Sequence, residues 1–198
     1  MILAGHLILT AYGFWLPNDL RGSWSDFVGS WELLRFGPAT KVDTRRSVAH
    51  QPHNRRARLA AKRHLKYRPV RFSGAQARAV GRGFAAFVER NGLVVWACSI
   101  LPEHVHLVVA RHRYHFDRVI ELMKSAATRR LTEEGLHPFR DITRPDGQHP
   151  KPFARGGWSV FLDTDAAVRR AIRYAEDNPA REGLPRQQWS FVRPYEGV

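Results

Sequence analysis

The sequence predicts an α+β fold: a ferredoxin-like (RRM-like) antiparallel sheet with helices on one face, a basic insertion, and an added C-terminal helix. Three observations lead there. Short apolar runs with β-branched residues recur at four places, each of strand length. Three other segments carry apolar residues at helical spacing, with Ser, Thr or Gly near their ends. The order β, insertion, α, β, β, α, loop, β, α contains the βαββαβ arrangement with one helix to spare.

The elements follow in chain order. Leu3–Tyr12 reads as a buried strand carrying one polar residue, His6, whose simplest role is a core histidine with its hydrogen bond satisfied. Gly13–Gly37 is turn-rich, interleaving Phe14, Trp15, Trp24, Phe27, Trp31 and Phe36 with Pro17, Asn18, Asp19 and Arg21. Such aromatics can stack unpaired bases or form a small core of their own. Asn54–Tyr67 has helical spacing and stops before Pro69. Ser73–Asn91 is a helix with Ser73 as N-cap, a stripe of Val80, Phe84, Phe87 and Val88, and Gly92 as its stop. Leu93–Ile100 and His104–Ala110 are strands joined at Pro102-Glu103. His115–Glu134 is a helix closed by Gly135, Trp158–Leu162 a short strand, and Thr164–Asn178 a helix ending before Pro179. Pro185–Val198 shows little pattern.

Composition narrows the function. The 198 residues suit one domain with a real core, spanning 1–198, and 43% hydrophobic content excludes a disordered chain. No apolar run reaches membrane-spanning length, and no signal peptide is apparent. One cysteine, Cys98, fits a reducing, cytoplasmic setting. Net charge is +14, and Lys41–Arg90 alone holds 14 Lys/Arg against two acids. Thr44–Phe72 has ten Lys/Arg and no acid. Such a segment suits a polyanion, and nucleic acid is the common one. Arg55, Arg56, Arg58, Lys62 and Arg63, with Lys124, Arg129 and Arg130 further on, are the candidate phosphate contacts. The absence of a GxxxxGK[ST] loop implies no nucleoside triphosphate chemistry.

The stretch Leu101–Leu107 carries the chemistry. Side chains alternate on a strand, so His104 and His106 share one face and Val105 and Leu107 the other. Two imidazoles so placed can share a divalent cation. On the last helix Val168, Ala171, Ile172 and Ala175 form the packing face; Tyr174 and Asn178 sit one turn apart on its flank. A tyrosine on that flank is half exposed, which suits a nucleophile.

With His104-Val105-His106 and Tyr174 followed by Asn178-Pro179, the chain resembles the single-tyrosine HUH transposases, including the REP-associated tyrosine transposases. The match runs from about Leu93 to Leu184, the expected catalytic core, with Leu3–Tyr12 as a first strand. The resemblance implies that His104, His106 and Asn178 hold Mg²⁺ or Mn²⁺. It implies that Tyr174 attacks a phosphodiester of single-stranded or hairpin DNA, forming a 5′-phosphotyrosine and freeing a 3′-hydroxyl. Monomer and homodimer are both compatible with it. Two features depart from the pattern. Glu103 stands where the family often has Asn, and the 13–72 insertion is longer than expected. A non-catalytic nucleic-acid-binding module and a water-using, metal-dependent nuclease are the competing readings.

Overall fold

Four strands pair edge to edge, all antiparallel, in the order second, third, first, fourth along the chain, the sheet order of a ferredoxin-like fold. The computed structural model describes residues 1–44, 48–49 and 51–197; Arg45, Arg46, Ser47 and His50 of the basic segment, and Val198, lie outside them. The strands are β1 (Ala4–Thr10), β2 (Val95–Ile100), β3 (His104–Ala110) and β4 (Trp158–Leu162). The helices are α1 (Trp31–Leu34), α2 (Arg55–Arg63), α3 (Gly74–Asn91), α4 (Phe116–Glu133) and α5 (Asp165–Arg181).

Alternation along the strands divides the molecule into layers. Leu7, Leu9, Val105, Leu107 and Val109 point to one face, where Val80, Phe84, Val119, Ile120 and Met123 of α3 and α4 complete the main core. Leu7, Leu107 and Met123 are fully buried, each contributing about 1.5–3 kcal/mol over an exposed side chain. The opposite face carries Ala4 and Val108, covered by Val168, Ala171 and Ala175 of α5. The pair α3/α4 thus backs one face, and the added helix lies on the other.

Local chemistry sets the helix ends. Ser73 and Gln76 close a capping box at the start of α3, and Gly92 ends it in the left-handed region at φ 65°. Helix α5 does not stop at Asn178. It continues through Pro179 to Arg181 because a Schellman motif closes the chain behind the proline. Leu184 N–H donates to the Pro179 carbonyl and Gly183 N–H to that of Ala180. Gly183 takes the required left-handed conformation at φ 70°. Proline has no N–H to give the Ala175 carbonyl and is disfavoured inside a helix, yet Pro179 lies within this one, which closes only beyond it.

The 13–72 insertion is a packed excursion. Leu16, Leu33 and Ala61 are buried together, with Val28, Phe36 and Leu65 around them. Asp19 is buried and takes a bidentate pair from Arg21, whose guanidinium lies 3.7 Å from the Trp15 ring centre. Asn18 donates to the carbonyls of Leu33 and Gly37. Helix α2 is shorter than the 54–67 segment predicted, capped by Asn54 and ending at Arg63. The short helix α1 has no periodicity by which the sequence announces it. Among the described residues no helix is long and apolar enough to cross a membrane.

The C-terminal segment, unpatterned in sequence, covers the free edge of β2. The Gln187 carboxamide both accepts from Ile100 N–H (2.8 Å) and donates to Ile100 C=O (2.9 Å), as a neighbouring strand would. Arg193 N–H donates to Val95 C=O at 2.8 Å, and Phe191 is buried against Phe84. Side-chain amides and single bridges leave no repeat to read in the sequence. Gln187→Ala removes two hydrogen bonds from the sheet edge, and stability is expected to fall by about 1–3 kcal/mol. Urea unfolding with an unchanged m-value checks this; an unaltered midpoint would show the edge is held without Gln187.

Candidate functional site

The site is built on the α5 face of the sheet. His104 and His106 on β3 point to it, as does His6 of β1, two residues along from Ile8, which pairs with His106. One cross-strand row runs Ser99, His106, Ile8, Trp158 from β2 to β4. Helix α5 crosses this face and adds Tyr174, Asn178, Arg181 and, at its C-cap, Glu182.

The three histidines form a connected cluster. His106 Nδ1 and His6 Nε2 are 3.0 Å apart, within hydrogen-bonding distance. His104 and His106 stand edge to face with ring centres 4.9 Å apart. Tyr174 presents its ring edge-on to His106 at 5.3 Å and to His6 at 5.8 Å. It is 38% exposed, so the phenol belongs to the site and is still open to a ligand. The Arg181 guanidinium carbon lies 5.3 Å from the Tyr174 ring centre. Asn178 is buried, and among the described residues its Nδ2 has no partner.

The insertion supplies a wall. Phe14 stacks on the His104 ring at 4.9 Å with the planes 9° apart, and Lys62 Nζ lies 5.6 Å from the centre of the Phe14 ring. Of the five candidate cations of α2, Lys62 therefore reaches the histidines' surroundings. Arg58 binds the His53 ring at 3.0 Å, and Arg55, Arg56 and Arg63 are exposed. The other three candidates stand on the α4 layer, across the sheet from the histidines. Lys124 Nζ donates to the carbonyls of Ala154 and Gly156, and Arg130 pairs with Glu133 and Glu134. Arg129 is exposed. Glu103 turns to Arg71, 3.1 Å away.

Burial sets the charge state. It lowers His6 and His104 to about 4, and it holds His106 well below the usual imidazole value, with help from its two neighbours. All three rings are neutral at pH 7 and keep a lone pair. For His106 to present Nε2 to a cation, its Nδ1 must carry the proton and donate to His6 Nε2. His6 is then the acceptor that fixes the tautomer. Burial lowers Lys62 and, with Glu103 close by, raises the Glu182 carboxyl.

The donors fit a hard divalent cation in kind. Among the described residues no three His, Cys, Asp or Glu side chains already converge as a metal-binding group. The candidate set is two neutral imidazoles and the Asn178 carboxamide. His104 Nδ1 is buried without a partner among the described residues, and its Nε2 lies 4.0 Å from Glu182 Oε1. At bond lengths of about 2.1 Å, two donors to one cation stand about 3–4 Å apart. The Glu182 oxygen lies at the outer limit of that range from His104 and does not converge with both histidines.

Four residues of this site escape a reading of the sequence. His6 looks like a core histidine, and Phe14 like any loop aromatic. Arg181 and Glu182 fall beyond a proline that reads as the end of the helix. Their signal was the i+4 spacing from Asn178 to Glu182, together with Gly183 as a helix stop.

The buried histidines make stability depend on acid. Folded, His6, His104 and His137 take up protons only near pH 4; unfolded, they do so near 6.5. Between these values the unfolded chain binds more protons, so stability is full above about pH 6.5 and falls as the pH drops towards 4. Urea midpoints across that range, taken in EDTA, check this. A midpoint that holds or rises on acidification would mean the rings are already charged in the folded chain.

No family model and no curated protein sequence matches the chain. Among solved structures it is similar to a REP-associated tyrosine transposase bound to a REP hairpin. That similarity has a TM-score of 0.45 and 17% identity, covering 64% of this chain and 70% of the other.

Proposed function

We propose that the chain is a metal-dependent DNA strand transferase that cuts and rejoins single-stranded or hairpin DNA through a 5′-phosphotyrosine on Tyr174. One observation carries the proposal: a half-exposed tyrosine on α5 stands edge-on to His106, one member of the His-x-His pair on β3.

The chain's own groups have defined roles in this reading. His104, His106 and Asn178 would hold the cation, and His6 keeps His106 in the competent tautomer. Bound Mg²⁺ or Mn²⁺ supplies positive charge at the scissile phosphate. Tyr174 Oη attacks phosphorus in line. The new P–Oη bond forms as the bond to the 3′-oxygen breaks; the phenol proton goes to water, and the 3′-oxygen leaves as a hydroxyl. One phosphodiester replaces another, so a second 3′-hydroxyl reverses the step without a nucleotide cofactor. Arg181, beside the Tyr174 ring, is placed to hold a phosphate oxygen of the adduct. The cations of α2 draw in the DNA backbone by releasing counterions.

Capture of the adduct tests the proposal. Wild-type protein incubated with labelled single-stranded DNA and Mn²⁺, then denatured, is expected to carry covalent label. Tyr174→Phe should abolish the label while keeping fold and binding; EDTA should abolish it in the wild type. Asn178→Ala should do less damage than His104→Ala or His106→Ala, because a neutral amide oxygen is the weakest of the three donors. Free fragments without an adduct would mean a water-using nuclease. Binding with neither product would mean a nucleic-acid-binding module.

A further inference from the structure

We infer that the outer face of Trp24, backed by Trp158 and flanked by Phe27, Arg155 and Lys41, is a stacking site for one unpaired base of single-stranded DNA. The inference rests on the DNA reading above and adds to it the place where a neighbouring base is held.

The insertion sorts its apolar side chains into two groups. Leu16, Leu33 and Phe36 turn inward to their small core. Trp24 and Phe27 do not: they are 41% and 59% exposed, as Trp31 is at 86%, but Trp24 alone of the three is backed by a second tryptophan ring. Exposed aromatics of this size normally gain by burial, so their outward position marks a surface kept open. Nor are they loosely held. Ser23 and Lys41 form a bridge, with Ser23 N–H donating to Thr40 C=O at 2.7 Å and Val42 N–H to Ser23 C=O at 2.9 Å. Trp24 then leans on Trp158, ring centres 4.7 Å apart at 50°. A cleft of about 150 Å³ opens between Trp24 and residues 41–44. Pockets that bury a whole small molecule measure roughly 300–1,000 Å³, so this one admits the edge of a single flat ring.

Position and charge select the occupant. Trp158 ends the cross-strand row that carries His106, two strands away on the same face. With strands roughly 4.8 Å apart, about 10 Å separates it from the histidine. A strand held at Tyr174 by its phosphate passes this point with the next bases free to stack. The Arg155 guanidinium carbon is 5.8 Å from the Phe27 ring centre, and among the described residues no carboxylate pairs with it. Lys41 is already paired with Asp26 at 2.5 Å, and Asp43 lines the cleft beside it, so attraction for a phosphate at this point rests on Arg155. Aromatic faces beside cations bind single strands by combining stacking with backbone attraction.

Fluorescence anisotropy with labelled oligothymidine and a labelled duplex of equal length tests the site. Trp24→Ala is expected to weaken oligothymidine binding by about 5- to 100-fold, the range for one stacked base. Trp24→Phe should retain most of the affinity, and the slope of affinity against salt should hold, because no phosphate contact is lost. Duplex binding should be unchanged, and circular dichroism should match the wild type. Phe27→Ala, at a still more exposed position, is a second variant that leaves the fold intact and should also weaken oligothymidine binding. Oligothymidine affinity within twofold of wild type in both variants overturns the stacking site, as does an equal loss on duplex. In either case Tyr174 adduct formation can still stand, so the two readings fail separately. Wild-type protein that binds neither oligonucleotide contradicts the DNA reading itself.

Discussion

The antiparallel register of β1 against β3 is the constraint on which the site depends. It pairs Ile8 with His106 and so brings the His6 ring within 3.0 Å of His106 on the face away from the main core. A slip of β1 by one residue would turn His6 into that core and Leu7 and Leu9 outward. The hydrophobic side of the same strands prevents the slip: Leu7, Leu9, Val105 and Leu107 are fully buried. The packing that folds the sheet therefore also aims the imidazoles.

Two further elements complete the site, and each arrives by a different physical route. Helix α5 packs through the small residues Ala171 and Ala175, which let it lie close enough for Tyr174 to meet His106 edge-on. The insertion folds back through a buried Asp19–Arg21 pair and its own small core, and sets Phe14 flat on His104. Breaking a buried pair by removing one partner typically costs about 3–5 kcal/mol, so Asp19 supports the wall of the site from a distance. Sheet, helix and insertion each hold one side of the same polar cluster, and their burial keeps its histidines neutral.

Much of this could be read from the residues. The strand pattern gave His104 and His106 a common face, and Ser73, Thr164 and Gly92 marked helix ends where caps form. What could not be read depends on three-dimensional neighbours. His6 is polar in an apolar strand whether it serves a core or a site, and only pairing of β1 with β3 decides. Pro179 argues for a helix end by local sterics, while the Schellman bonds from residues 183 and 184 carry the helix past it. That single misreading hides Arg181 and Glu182. Lys124 looks like a free cation on a helix flank, but two loop carbonyls occupy its ammonium group. Gln187 imitates a strand with one side chain, which no periodicity reveals.

The central claim is that Tyr174 and the β3 histidines act as one centre. Peptide mapping of the covalent adduct tests it most directly. After reaction with single-stranded DNA and Mn²⁺, nuclease and trypsin digestion should leave a nucleotide 5′-phosphate on the peptide Tyr174–Arg181, identified by its mass and fragment ions. A nucleotide on Tyr12, Tyr67 or Tyr114, or on no peptide at all, would contradict the account.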